Sequence, residues 1–151
     1  MGLDNIPAAY PCVRERTAVR DGENRIDCEE TMAQGGCPWQ RDKPADGTPI
    51  YGMLGADCWY RGKAGTRMLE TLASAGHQLP PGLEGGFYGD RDDQLSAEHC
   101  SALAAWMVEH GEAYLALVAP EDREQEARYY RYAAWWLGWI AQAGGGATAW
   151  W

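Results

Sequence analysis

Side chains able to bind an anion are concentrated between residues 55 and 72, in the stretch GADCWYRGKAGTRMLETL. Arg61, Lys63 and Arg67 supply cations, and no acidic residue is interspersed with them. Glycines in the same stretch let the backbone approach a ligand closely. A glycine-rich turn that enters a helix also presents unpaired N–H groups and a partial positive charge. Together with Arg and Lys, this pattern is typical of a phosphate-binding site.

Aromatic residues lie directly before the cations. Trp59 and Tyr60 have rings that can stack on a planar group such as a nucleotide base. The competing interpretation is a surface loop whose arginines pair with the chain's own carboxylates. The residues of the predicted ligand site are Trp59, Tyr60, Arg61, Gly62, Lys63, Gly65, Thr66 and Arg67.

No catalytic motif accompanies this strip. Ala64 follows the lysine where the P-loop signature requires Ser or Thr, and the glycines do not fit G-x-G-x-x-G after a strand. The sequence also contains neither H-E-x-x-H nor G-x-S-x-G. It therefore favours binding over catalysis, and a hydrolase or transferase acting on a phosphorylated substrate is the less favoured alternative.

Four of the five cysteines occupy turn-like contexts in the first half of the chain. Four thiolates suit a tetrahedral Zn²⁺ ion, whose binding energy would compensate for a region with few core residues. Because their spacing contains no C-x-x-C pair, reduced cysteines and disulfides remain alternatives to zinc, the one cofactor that the sequence suggests. The candidate zinc ligands are Cys12, Cys28, Cys37 and Cys58.

The remaining cysteine and the three histidines are predicted to have structural roles. Cys100 lies on the apolar stripe of a predicted helix, as a small buried hydrophobic residue would. His99 and His110 are three helical turns apart and too distant along the axis to share one ion. His77 begins a loop, and each histidine taken singly suits a surface or capping position.

The charge balance restricts the partners. The formal net charge is −9, from 13 basic and 22 acidic residues, which argues against binding to nucleic-acid backbones or anionic membranes. Residues 1–75 carry nine Lys and Arg against eleven acids, whereas residues 76–151 carry four against eleven. The first half is therefore the more favourable place for an anionic ligand to bind. The acidic surface as a whole would attract a basic partner toward the chain.

Aromatic usage is unusual, with eight Trp, eight Tyr and a single Phe. Trp and Tyr are favoured on surfaces that bind a partner, and they are also common in hydrophobic cores. The most apolar run, AAWWLGWIA, is shorter than the roughly 20 residues needed to cross a bilayer. The N-terminus lacks the charged start and apolar run of a secretory signal. We therefore expect a cytoplasmic protein without a membrane partner.

The chain is predicted to be a single domain over residues 1–151 with two regions of different composition. Residues 1–64 are rich in Cys, Gly and Pro, which predicts loops and short strands. Residues 65–151 show helical periodicity, which predicts about three helices. The expected fold class is α+β, with a mainly helical C-terminal half packed on a loop-rich N-terminal half.

Local signals also set the expected helix boundaries. Thr66 is predicted as the N-cap of the first long helix and Gly76 as its end. Ser96 is the predicted N-cap of the second, which Gly111 is expected to bend or divide. Pro120 suits the first position of the last helix, which is expected to run to about residue 143, before the triglycine.

The leading functional hypothesis is a small binding protein that captures a compact phosphorylated ligand, such as a nucleotide or a nucleotide-derived signal. Sequestering proteins of the phage type are one class that would fit. The alternative is a zinc-stabilised interaction or inhibitor protein that presents an acidic surface rich in Trp and Tyr to a partner protein. The C-terminal ATAWW either contributes to a homo-oligomer or docks on the chain's own core.

Overall fold

The structure, a computed structural model, describes residues 4–8, 22, 30, 33, 38–45, 60–83, 94–143 and 145–150. Within these residues the fold is α+β with a helical C-terminal half, which confirms the predicted class. None of the helices in these ranges has the length and apolarity needed to cross a membrane. The elements in chain order are β1 (Asp4–Pro7), α1 (Pro38–Asp42), β2 (Tyr60–Arg61), α2 (Gly62–Ser74), β3 (Gln94–Ser96), α3 (Ala97–Leu117), a 3₁₀ turn (Pro120–Asp122), α4 (Arg123–Ala143) and β4 (Gly146–Trp150).

The four described strands form one antiparallel sheet in the order β2-β1-β4-β3. Strand β4 is central, with Ala149 opposite Asn5 of β1 and Ala147 opposite Leu95 of β3. The C-terminal segment GATAW thus docks within the chain's own sheet. This strand was not predicted, because five residues with two alanines and a glycine carry no clear strand periodicity.

Helices α3 and α4, each 21 residues long, pack against each other as an antiparallel hairpin. The rings of Tyr114 and Tyr130 stack across it with centroids 4.7 Å apart. The aromatic face of α4, formed by Tyr132, Trp135, Trp136 and Trp139, lies in the core. Its buried members are Tyr132, Trp136 and Trp139, and the facing residues Trp106, Met107 and Tyr114 are buried as well.

The short helix α1 is attached to α4 by two indole groups. Trp39 is buried and its Nε1 donates to the hydroxyl of Tyr132 at 3.3 Å. Trp139 donates from its Nε1 to Oδ2 of Asp42 at 3.2 Å. The neighbouring Arg41 hydrogen-bonds the same carboxylate and holds the pKa of Asp42 below its usual value. These contacts fix α1 on the last helix.

Helix α2 begins earlier than predicted. Strand β2 leads directly into it at Gly62, so Thr66 lies inside the helix and its predicted role as N-cap is wrong. The pairing of β2 with β1 ends at Arg61, and the chain turns into the helix at the next residue. The predicted end is confirmed, since Gly76 adopts a φ of 91°, a conformation that favours glycine.

The boundaries of α3 and α4 agree closely with the sequence signals. The side chain of Ser96 accepts a 3.2 Å hydrogen bond from the backbone N of His99, which confirms the predicted N-cap. The predicted division at Gly111 is wrong, because α3 is continuous over Ala97–Leu117. Instead, a Cβ at Gly111 would lie 3.5 Å from the ring of Tyr130, so the glycine sits where the two helices approach closely. Pro120 begins a 3₁₀ turn and α4 itself begins at Arg123, so the predicted start of the last helix is three residues too early, whereas its end at residue 143 is as expected.

Candidate functional site

Two of the three cations of the predicted strip lie on the first two turns of α2, while Arg61 belongs to β2. Lys63 and Arg67 are four residues apart, are both exposed and lie on the same side of the helix. Gly62 and Gly65 are buried on another side, and Thr66 is half-buried. The first turn of α2 contains no acidic residue. The structure therefore brings two of the predicted cations together at a helix N-terminus.

Arg67 is engaged by a carboxylate of the chain itself. Its Nη2 donates to both carboxylate oxygens of Glu126, at 2.9 and 3.2 Å. The hydroxyl of Tyr114 donates to Oε2 of the same residue at 2.5 Å. Burial, together with this hydrogen bond to Glu126, raises the pKa of Tyr114. For Arg67 the competing interpretation, pairing with the chain's own acids, is therefore the one that the structure shows.

Tyr60 does not lie where a ligand could stack on it. Its side chain is fully buried, and its ring stacks on that of Trp136 with centroids 5.3 Å apart. It occupies β2 opposite Asn5, which is also buried, so both residues belong to the sheet face covered by the helices. A stacking role for Tyr60 is wrong for this reason. Trp59 and the side chain of Arg61 lie outside the described residues.

The candidate zinc ligands also lie outside the described residues, so zinc stays a prediction: these are Cys12, Cys28, Cys37 and Cys58. Across the described ranges, no group of three or more His, Cys, Asp or Glu side chains is arranged to hold a metal. Cys100 is buried, as predicted, and its Sγ donates to the carbonyl of Leu95 at 3.8 Å. Burial raises the pKa of this thiol to about 12, so it packs as an apolar group.

A surface that was not predicted lies on the outer face of α3. We use this name for the exposed residues that recur at spacings of three and four along the side of the helix opposite the core. Val108 stands out among them with 74% of its surface exposed. The members are Glu98, Ser101, Ala102, Ala105, Val108, Glu109, Glu112 and Ala116.

The outer face of α3 combines small apolar residues with acids. Helix α3 contains three glutamates and neither Lys nor Arg. Within the described residues, none of these glutamates forms an ion pair. The run SALAAWMV places apolar residues on every side of the helix, which is the signal that could have revealed this surface, since a helix that is apolar all round usually has cover on both sides.

The aromatic rings, by contrast, do not form the surface predicted for a partner. The five tryptophans and five tyrosines whose side chains are described are buried or half-buried. Of these, Tyr129 and Trp135 are the half-buried tyrosine and tryptophan on α4. The exposed surface of the described helices instead consists mainly of charged, polar and small residues, together with Val108 and Leu117.

Two shallow clefts accompany these surfaces in the described ranges. One, of about 450 Å³, opens at the start of α4 beside Glu121, Glu124 and Arg128. The other, of about 440 Å³, lies at the end of α2 beside His77 and Leu79. Both are open and lined largely by side chains of a single helix and the segment next to it.

No protein-family model, curated protein or solved structure matches this chain.

Proposed function

We propose that this protein is an interaction protein that binds a basic helical segment of a partner on the outer face of α3. The observation that carries the proposal is the exposure of Val108, at 74%, among exposed alanines on a helix whose opposite side already forms the core. Exposed apolar residues at helical spacing are the anchors by which one helix recognises another.

The size of the exposed residues favours a helix as the bound element. Ala102 and Ala105 are one turn apart near the middle of the face, and Ala116 continues it toward the C-terminal end. Small side chains let a second helix approach closely, so that its ridges fit between theirs. Val108 supplies a larger anchor beside them. A partner segment with apolar residues at spacings of three and four would therefore pack along this face.

The charge of the face favours a basic partner over a second copy of the chain. Glu109 and Glu112 are exposed one turn apart beside the apolar residues, and Glu98 lies at the start of the helix. In a symmetric dimer through this face, carboxylates would meet carboxylates, which opposes association. A partner helix flanked by Lys and Arg would instead be attracted and held in register.

The test uses two helical probe peptides that share one alanine-and-valine stripe, flanked in one by Lys and Arg and in the other by Glu. We expect titration calorimetry to detect binding of the basic peptide and none of the acidic one. Replacing Glu109 and Glu112 by Lys should weaken the basic peptide by roughly tenfold or more, since both carboxylates face the partner's cations. Val108→Asp should weaken it as well, because it places a charge at the apolar anchor.

The matched control replaces Glu121 and Glu124 by Lys, which makes the same total charge change at exposed positions of the 3₁₀ turn and the start of α4. We expect this variant to bind the basic peptide almost as well as the unchanged protein. The proposal is wrong if neither peptide binds, or if the control weakens binding as much as the paired change on α3. Sedimentation showing a dimer that Val108→Asp dissociates would instead identify a second copy as the occupant.

Capture of a phosphorylated ligand at the start of α2 is the second candidate. What favours it is the exposure of Lys63 on a first helical turn without acids, next to buried glycines. Stacking would then depend on Trp59, since Tyr60 lies in the core. Calorimetry with a nucleotide panel should show binding that is lost on changing Arg61 and Lys63 to Glu. Lys43→Glu, at the chain's other lysine, is the control. Unchanged affinity in the double variant, or no binding at all, would exclude this candidate.

A further inference from the structure

Two histidines that are distant in the sequence meet at the C-terminal end of α2. The ring centroids of His77 and His110 are 5.2 Å apart, and the ring planes are nearly perpendicular, at 86°. Both side chains are half-buried. The pairing of His110 with His77 is a tertiary contact, so the histidine spacing along α3 gave no indication of it.

His110 is held in one orientation by Trp106. Its Nδ1 donates to the backbone carbonyl of Trp106 at 2.9 Å, because a carbonyl oxygen can only accept. Its ring also stacks on the indole of Trp106, with centroids 4.1 Å apart and planes inclined by 19°. This tautomer leaves Nε2 as the nitrogen with a lone pair. A backbone carbonyl on the second ring nitrogen is the usual support of a metal-binding histidine.

The backbone around His77 is fixed on both sides. Its N–H donates to the carbonyl of Leu72 at 3.1 Å, in the turn that ends α2. The next residue, Gln78, accepts a 2.9 Å hydrogen bond at its backbone oxygen from Nε1 of Trp106. Trp106 therefore positions both histidines, one through its indole N–H and one through its carbonyl and ring face.

From this arrangement we infer that His77 and His110 bind one divalent transition-metal ion of the class that prefers imidazole, such as Zn²⁺, Ni²⁺ or Cu²⁺. Two imidazoles sharing a tetrahedral ion at metal–nitrogen distances of about 2 Å have ring centroids roughly 5 Å apart. The observed centroid separation of 5.2 Å matches this spacing. The C-terminal end of α2 adds a partial negative charge that favours a cation.

The ion would keep open coordination positions. The described residues provide no third His, Cys, Asp or Glu at this point, so water completes the coordination. The cleft of about 440 Å³ beside His77 gives the ion and its waters a route to solvent. The inference uses neither the four predicted thiolate ligands nor the proposed partner of α3.

The test follows the imidazole nitrogen signals of the full-length, untagged protein by NMR during titration with Zn²⁺. We expect the Nε2 signals of His77 and His110 to shift together and to saturate at one equivalent, while His99 stays unchanged. His77→Gln and His110→Gln should each weaken Zn²⁺ binding by more than roughly tenfold. A loss of about tenfold is what removal of a residue that only supports a metal ligand causes, so a direct ligand should cost more.

His99→Gln is the matched control, since His99 is also half-buried on α3 but has no histidine neighbour in the described residues. Zinc bound by thiols alone would leave all three histidine signals in place, which would overturn the inference. Equal shifts at His99 would overturn it too. If a variant fails to fold, the signals of the unchanged protein decide the question by themselves.

Discussion

Arg67 on α2 and Glu126 on α4 form an ion pair of 2.9 Å, although 59 residues separate them in the sequence. The carboxylate also accepts the hydroxyl of Tyr114 on α3, so one side chain connects the three long helices. The Glu126 side chain is only 14% exposed, whereas that of Arg67 is 59% exposed. Glu126 is therefore the partner that is held in place by the fold, and the exposed Arg67 binds to it.

Replacing Glu126 by Gln should destabilise the fold. The amide cannot accept from both Arg67 and Tyr114 with the strength of a carboxylate, so we expect the free energy of unfolding to fall by about 1–2 kcal/mol. Urea unfolding followed by circular dichroism measures this change. Glu124→Gln, at an exposed position two residues earlier, should change it by less than about 0.5 kcal/mol. Equal effects of the two variants would show that the contact contributes nothing specific.

Gly146 should not tolerate a side chain. It has a φ of 108°, and a Cβ there would lie 2.3 Å from the backbone oxygen of Leu95. Because the clash is with backbone, Gly146→Ala should force β3 and β4 apart and cost about 2 kcal/mol or more of unfolding free energy. Thermal unfolding of the variant, compared with the unchanged protein, measures this.

Gly111→Ala is the control for the preceding change. A Cβ at this helical glycine would lie 3.5 Å from Cε1 of Tyr130, an ordinary van der Waals contact. The gain of up to about 1 kcal/mol from helix propensity should offset any crowding, so we expect the melting temperature to stay constant or to rise. A larger loss at Gly111 than at Gly146 would contradict the described packing of both glycines.

Stability should fall in alkaline solution. Burial raises the pKa of Tyr60, Tyr114 and Tyr130 above the value near 10 of free tyrosine. Because these pKa values are raised in the folded state, the stability that the three tyrosines contribute is complete below about pH 10. It is lost as the pH rises above that value. Tyrosinate absorbance at about pH 11 should therefore be lower in the folded than in the urea-unfolded protein, because these three tyrosines keep their protons. Equal absorbance, with helicity retained, would contradict their burial.

Cys100 should be unreactive until the protein unfolds. Its pKa of about 12 leaves a far smaller fraction of thiolate at pH 8 than that of a free thiol, whose value is 9.0. Since the thiolate is the reactive form, alkylation by iodoacetamide should slow by roughly a thousandfold, and further because the site is buried. Peptide mapping by mass spectrometry after a short reaction, with and without urea, follows this residue separately from the other cysteines. Rapid labelling without urea would contradict the packing of Cys100 against β3.

The long helices could be predicted because their signals are local. Ser96 caps α3, Gly76 ends α2, and the apolar periodicity that includes Cys100 identifies the buried side. Each depends on residues within a few turns of one another, so the sequence states them directly. Boundaries were less secure where a strand continued into a helix, as at Gly62.

The candidate site could be predicted only in part. The cations of α2 were evident from composition, yet whether Arg67 is available depends on Glu126, a residue of another helix. The burial of Tyr60 depends on the pairing of β2 with β1, which local sequence does not encode. The outer face of α3 was recognisable only once the opposite side of the helix was known to form the core.

By itself, the sequence determined an acidic, aromatic-rich α+β protein with a helical C-terminal half, the N-cap of α3 and the end of α4. The tertiary structure decided the central place of β4, the ion pair of Arg67 with Glu126 and the meeting of His77 with His110. The physical reason is range. Helix capping and periodicity act between neighbours along the chain, whereas sheet register, ion pairs and ring contacts form between residues that only folding brings together.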